Sequence, residues 1–384
     1  MVSGDAFYLP RLLDLEQRLK DRSCFLFGPR QTGKSTLIRR TLARARVYNL
    51  LDSRVFLALA RRPSLIREEL GPDDRLVVID EVQKLPELLD EAHLLIEERG
   101  VRFLLTGSSA RKLKRAGTNL LGGRARTLAM HPLVFKEVAD FDLLRAVNHG
   151  LLPSIYLSPS PDDGLRAYAG TYLREEVAAE AALRNIPAFG RFLEVAAICN
   201  GAILNHSRIA SDAEVARSTV QEYFQILFDT FIASTLPAWR RTAKRKPIAT
   251  SKLYFFDPGV VRILRNEGEI RARSPAFGHA FETFLFHELR TCLDYRGGGG
   301  ALAYWRSTSN YEVDFVVNDV TAIEVKASGN VAERDLAGLR ALREEGLLRD
   351  YVVVSLVDRP RTIDGIRILP WREFLERVWA GEFL

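Results

Sequence analysis

The stretch Gly28-Pro29-Arg30-Gln31-Thr32-Gly33-Lys34-Ser35 constrains this chain more than any other, because it reads G-x-x-x-x-G-K-S. The apolar run Cys24-Phe25-Leu26-Phe27 precedes it, and Thr36-Leu37-Ile38-Arg39-Arg40 follows. That order predicts a strand, a phosphate-binding loop and a helix. Glycines let main-chain N–H groups curl around a polyanion, and a helix N-terminus adds partial positive charge. In this pattern Lys34 reaches the β- and γ-phosphates and Ser35 ligates Mg²⁺. Residues Gly28 to Thr36 are therefore the candidate nucleotide ligands, with ATP and Mg²⁺ as expected cofactors.

A second segment supports the first. Leu76-Val77-Val78-Ile79 is continuously apolar and ends in Asp80-Glu81, as expected of a parallel strand buried on both faces. An acid at such a strand end can hold the Mg²⁺ hydration shell, and its neighbour can polarise the attacking water. Asp80 is the candidate metal residue and Glu81 the candidate base; the alternative is two solvated carboxylates. Val101 to Thr106 is another buried strand, ending in Gly107-Ser108-Ser109. There Ser108 can sense the γ-phosphate, or a serine can cap the following helix. Val47 to Leu51 reads as a further strand. Residues 54–70 read as helical with a break at Pro63, and Pro86 to Glu98 as a helix. A short amphipathic helix is expected over residues 8–20. Alternating strands and helices predict a doubly wound parallel sheet, an α/β fold with its ligand at the carboxyl ends of the strands.

On these residues the chain resembles AAA-type ATPases: Gly28–Ser35, Leu76–Glu81 and Leu104–Ser109 match their Walker A, Walker B and sensor 1 motifs. Gly122-Gly123-Arg124 and His131-Pro132-Leu133-Val134-Phe135-Lys136-Glu137 are similar to one bacterial and archaeal group. In that group the AAA domain is joined to a C-terminal domain. The resemblance implies Lys34 and Ser35 as nucleotide ligands, Asp80 for Mg²⁺ and Glu81 as catalytic base. It offers Arg124 as an arginine finger, the alternative being a solvated loop arginine, with Arg111, Arg115 and Arg174 behind it. It also implies a homo-oligomer, such as a hexameric ring, that builds the site between subunits.

The expected division is a nucleotide-binding domain over 1–140, a helical lid over 141–188, a winged helix over 189–270 and a nuclease-like αβ domain over 271–384. Phe189 to Cys199, Ser207 to Asp212 and Ala216 to Asp229 read as helix, short helix and longer helix, a helix-turn-helix rhythm. Ser218 and Thr219 would stand where such helices touch DNA. Phe231 to Leu236 and Lys252 to Phe256 can pair as a hairpin, with Arg240, Arg241, Lys244, Arg245 and Lys246 at its tip. A basic tip suits a phosphate backbone, so DNA is the expected partner; a solvated loop or a protein contact is the alternative.

In the C-terminal segment Phe277 to Leu293 reads as a helix, followed by a turn at Gly297-Gly298-Gly299-Gly300 and strands at 301–306, 311–317, 322–326, 351–356 and 366–368. Strand alternation puts Glu324 and Lys326 on one face, and Asp314 beside Glu312. Together Glu282, Asp314, Glu324 and Lys326 resemble the PD-(D/E)-x-K nuclease fold, in which acids bind Mg²⁺ and a lysine assists attack. Relatives of that fold can keep the shape and lose the activity.

The formal net charge of +6 permits an anionic partner without requiring one. The three cysteines are too scattered for a disulfide framework or a metal spacing. Neither a membrane-spanning run nor a signal-peptide pattern at Met1-Val2-Ser3-Gly4-Asp5-Ala6 is legible, so a cytoplasmic location and no membrane partner are expected.

Overall fold

β1 (Ser23–Phe27) is buried along its whole length, because an uninterrupted apolar strand needs cover on both faces. It lies between β4 (Arg102–Gly107) and β5 (Ala125–Ala129) in a five-stranded sheet. With β2 (Arg46–Asn49) and β3 (Leu76–Asp80) the order is β2-β3-β4-β1-β5. Every pairing is parallel, so the segments that follow β1, β3 and β4 leave the same end of the sheet. Phe25, Phe27, Val77, Ile79, Phe103 and Leu105 pack with Leu88 and Leu95 of the helix Leu88–Arg99.

The computed structural model describes residues 8–111, 113, 120–177, 183, 185–297 and 299–384. Arg115, Gly298 and Met1 to Ala6 of the sequence reading lie outside them. The chain forms two units: Pro10–Pro132 with Ile226–Ile232, and Leu133–Gln225 with Ala233–Leu384, Tyr8 and Leu9. Among the described residues no helix is long and apolar enough to cross a membrane.

In the second unit, helices Ile186–Ile198 and His206–Asp212 precede Arg217–Asp229. β6 (Ala233–Leu236) and β7 (Lys252–Phe255) form an antiparallel pair. The larger sheet takes β8 (Leu302–Arg306), β9 (Glu312–Val317), β10 (Thr321–Lys326), β11 (Asp350–Ser355), β12 (Arg361–Ile363) and β13 (Ile366–Pro370) in the order β12-β13-β11-β10-β9-β8. β10, β11 and β13 run parallel and the outer pairings antiparallel. Its two faces follow strand alternation except in β9, where a register shift against β8 sends Val313 and Phe315 to opposite faces. Phe315, Ile323, Val352 and Val354 pack with Phe281, Phe284 and Leu285 of the helix Pro275–Arg296. Val313, Val316, Ala322, Tyr351 and Val353 pack with Leu339 and Leu342 of the helix Ala337–Arg343.

Three local differences from the sequence reading have physical causes. The expected helix over residues 8–20 shrinks to Leu15–Arg18, whose N-cap is Asp14, after Pro10 and the unpatterned run to it. β5 was not expected, because as an edge strand it buries only Leu128 fully. The lid region is helical at Leu143–His149, Pro153–Tyr156 and Pro161–Ala167, but Tyr168–Glu176 has wide π-helical turns that a 3.6-residue period does not reveal.

Candidate functional site

The loop after β1 is shaped to receive an anion. Gln31 and Gly33 have φ of 65° and 94°, the left-handed conformation that turns successive N–H groups inward. At Gly28 a Cβ would stand 2.1 Å from the carbonyl oxygen of Met130, so this close approach admits only glycine. Thr32, fully buried, donates through Oγ1 to the Pro29 carbonyl at 3.0 Å. Lys34 opens the helix Lys34–Thr41 and is itself buried. Its Nζ donates to the carbonyls of Gly28 and Pro29 at 2.8 and 2.9 Å. Burial lowers its pKa to about 8 against the pull of Glu81 and Asp80. A phosphate chain on the loop would offset that desolvation with a full anionic partner. Arg30 and Thr36 are half-buried, Gln31 and Ser35 exposed. Arg11 is a loop residue that sequence reasoning missed: it donates to Thr32 O at 2.6 Å and to His131 O at 2.7 Å. A lone arginine outside any motif gives no signal of this.

Ser35 and Asp80 meet although β4 separates their strands. Ser35 Oγ donates to Asp80 Oδ2 at 2.8 Å. A hydroxyl and a carboxylate at one point are hard oxygen donors, the set that suits Mg²⁺. The Thr106 hydroxyl bonds the other oxygen of Asp80 and accepts the Glu81 N–H at 3.2 Å. Glu81 stands at φ 63°, ψ 45°, a left-handed turn rare outside glycine and asparagine. Ser108 Oγ donates to Glu81 Oε2 at 3.3 Å. Ser109 Oγ takes the Arg111 N–H at 3.2 Å. The two serines thus divide the alternatives, Ser108 on the acid and Ser109 on the following backbone.

The described candidate arginines are engaged within the chain. Arg124, partly exposed, pairs with Glu97. Arg174 pairs with Glu194 at 2.5 Å, and Arg111 is buried. The segment from Leu133 to Glu137 is an anchor in its own unit. Phe135 N donates to Glu288 Oε1 at 2.6 Å, His287 Nε2 lies 2.8 Å from Leu133 O, and Val134 N donates to Glu137 at 3.2 Å.

The basic segment between β6 and β7 is not a free tip. Trp239 N donates to Tyr304 O at 2.6 Å and Ile248 N to Arg306 O at 2.8 Å, so the segment runs along β8. Arg245 pairs with Glu344 at 2.6 Å and Arg241 with Asp319 at 2.9 Å. Glu345 accepts the N–H groups of Ala243, Lys244 and Arg245. Lys244 Nζ donates to the Glu344 carbonyl and Arg240 to Ala249 O. The acids come from about a hundred residues downstream, which is why the loop looks unopposed in sequence. Arg240, Arg241, Lys244, Lys246 and Ser218 remain exposed, with Thr219 half-buried.

Glu282, Asp314, Glu324 and Lys326 form one charged cluster with three residues that the sequence did not single out for it. Lys326 Nζ lies 2.6 Å from Glu324 Oε1, and Asp314 Oδ2 accepts Val325 N at 2.7 Å. Lys252, with 5% of its side chain exposed, lies 2.6 Å from Glu312 Oε1 and 3.8 Å from Glu282 Oε1. Tyr254 Oη donates to Glu282 Oε1 at 2.5 Å. Burial and Glu282 push Asp314 up to about 7. Burial and Asp314 push Glu324 well above the carboxylate range. Burial alone would lower Lys252, but Glu282, Asp314 and Glu312 hold it above its ordinary value. Glu324 Oε2 is buried without a partner. Among the described residues no three His, Cys, Asp or Glu side chains are placed to hold one metal ion. As arranged, the carboxylates are paired with Lys252 and Lys326 and are not gathered around a divalent cation. Lys252 reads in sequence as an ordinary strand residue, so its role there had no signal.

Residues 20–139 match a family described as an AAA domain. Residues 140–270 and 277–374 match two domains of unknown function, DUF8612 and DUF4143. Uncharacterized proteins of Mycobacterium bovis and Mycobacterium tuberculosis are each 25% identical over 300 residues, covering 76% of this chain and 66% of theirs. The chain thus spans just under two thirds of the curated relatives it matches. Among solved structures, a Walker-type ATPase of Pyrococcus abyssi aligns with a TM-score of 0.45 and 16% identity, over 65% of this chain and 93% of that one. Domain III of the Thermotoga maritima replication initiation protein DnaA aligns with a TM-score of 0.24 and 15% identity, over 56% and 87%. On the parallel sheet, the loop geometry and the family match together, residues 20–139 are an AAA-type P-loop domain.

Proposed function

We propose that the chain is a Mg²⁺-dependent ATPase of the AAA type whose hydrolysis drives work on DNA. One observation carries the ATPase reading: Ser35 Oγ, Asp80 and the buried Lys34 ammonium converge at the end of one parallel sheet. Lys34 would neutralise phosphate charge, the loop N–H groups would orient the chain of phosphates, and Glu81 would take the proton of the attacking water. Mg²⁺, held by Ser35 with Asp80, would supply charge neutralisation on the β- and γ-phosphates. Arg124 is the proposed finger toward a neighbouring subunit of a ring, released from Glu97. The exposed cations of the 240–246 segment and Ser218 at the start of its helix support DNA as the partner. We read residues 141–188 as a lid, 189–270 as a winged helix and 271–384 as a nuclease-like fold.

Lys252 favours a second reading of the output, a nucleotide-dependent switch that binds a protein partner and carries a catalytically silent nuclease-like fold. ATP hydrolysis measured alone and with linear, single-stranded and branched DNA separates the two. Stimulation by one DNA form supports the motor; indifference to all three, with no DNA binding at low salt, supports the switch.

A further inference from the structure

We propose that Gln83 is a positioning residue for hydrolysis, acting through Glu81; this rests on the ATPase reading above. The left-handed turn at Glu81 is followed by the single helical turn Val82–Lys84. The chain therefore doubles back, and the side chain two residues on returns to the carboxylate. Gln83, 5% exposed, donates through Nε2 to Glu81 Oε2 and lies 3.3 Å from Ser108 Oγ. Ser108 donates to that same Oε2. Both donors thus reach one oxygen of Glu81 and leave Oε1 for the water. When that water attacks, its oxygen bonds the γ-phosphorus and the bond from phosphorus to the β–γ bridging oxygen breaks. ADP leaves with the electron pair, and the water proton passes to Glu81 Oε1.

The other end of the amide shows what the arrangement forgoes. Gln83 Oε1 is buried with no hydrogen-bond partner, and buried amides normally satisfy both ends. The fold gives up the acceptor and keeps the donor on Glu81. Room for that oxygen comes from Gly107 at the end of β4, where an added Cβ would stand 2.5 Å from it. Glu81, Gln83, Gly107 and Ser108 are therefore one assembly that fixes the carboxylate's orientation.

The test uses the full chain and three variants: Gln83→Leu, Gln83→Glu, which keeps the shape but removes the donor, and Gly107→Ala, which displaces Gln83 without altering it. Phosphate release gives kcat and KM, and a fluorescent ATP analogue gives Kd. The expected result is a kcat at least tenfold lower in all three, with Kd within twofold of wild type and unchanged folding by circular dichroism. A kcat within twofold of wild type in both Gln83 variants overturns the proposal, as does a Kd that weakens in step with kcat. Wild-type protein that binds the analogue but releases no phosphate removes the hydrolysis reading, and Gln83's role with it. Wild-type turnover that the variants retain removes only the role of Gln83.

Discussion

Ser35 Oγ donates to Asp80 Oδ2 across 2.8 Å, joining the first turn of the helix Lys34–Thr41 to the end of β3 past an intervening strand. That bond sorts the nucleotide ligands into two kinds. Ser35→Ala should weaken nucleotide binding only when Mg²⁺ is present. Lys34→Ala should weaken it with or without Mg²⁺, by at least tenfold, or ~1.4 kcal/mol. Titration of a non-hydrolysable ATP analogue in Mg²⁺ and in EDTA checks both. Equal losses for the two variants in EDTA would remove the assignment of Ser35 to the metal.

Glu81→Gln should leave that affinity near wild type and lower turnover by roughly 10²–10⁴-fold, the usual contribution of a positioned general base. Phosphate release at saturating ATP is the measurement. Turnover at the wild-type rate would show that the proton goes elsewhere.

Much of the first unit was legible because its strands are uninterrupted apolar runs that end in motif residues. Val77-Val78-Ile79 before Asp80 suits a strand buried on both faces, and its acids then emerge at the carboxyl end of that strand. β5 was hidden because an edge strand needs no such run. Residues brought in from elsewhere were hidden too. Arg11 reaches Thr32, and Glu344 reaches Arg245, across separations that leave no local pattern. Asp314 and Glu324 were legible on their strands and Glu282 on its helix, whereas Lys252 sits on β7, which no parity links to β9 or β10.

Lys252 is the buried cation of that cluster, so its removal should expose the carboxylates' unmet charge. Lys252→Met should lower stability by about 3–5 kcal/mol, the cost of breaking a buried pair from one side. Mn²⁺ should restore part of that loss in the variant and do little to wild type. Thermal melts with and without millimolar Mn²⁺ check this. Equal stabilisation of both proteins would mean that Lys252 does not compete with a cation.

The basic segment makes a paired prediction. Arg245, held by Glu344 and stacked 5.3 Å from the Tyr311 ring, should act on folding: Arg245→Ala should lower the melting temperature. The exposed pair Arg240 and Lys246 should act on DNA: replacing both by Ala should leave the melt unchanged. It should also flatten the slope of log affinity against log salt by about one for each DNA phosphate left without its cation. An unchanged slope would favour the protein-partner switch.

Glu288 gives the fold an unusual pH dependence. It is fully buried in the helix Pro275–Arg296, accepting Phe135 N at 2.6 Å through one oxygen and Trp379 Nε1 at 2.9 Å through the other. Burial pushes its carboxyl from 4.5 to about 8, against those two donors. The native state therefore keeps a proton that the unfolded chain has released. Its stabilisation is complete below the unfolded value and is lost as pH climbs toward 8, by up to ~1.4 kcal/mol per pH unit. Asp257, raised by burial to about 6, and Asp314, raised to about 7, act in the same direction. Stability should thus fall between pH 5.5 and 7.5. Glu288→Gln cannot titrate, and its single carbonyl can accept only one of the two N–H groups. It should be less stable than wild type at pH 5.5, with a shallower decline toward pH 7.5. Guanidinium unfolding at pH 5.5, 6.5 and 7.5 measures both effects, and parallel declines in the two proteins would show that Glu288 is ionised throughout.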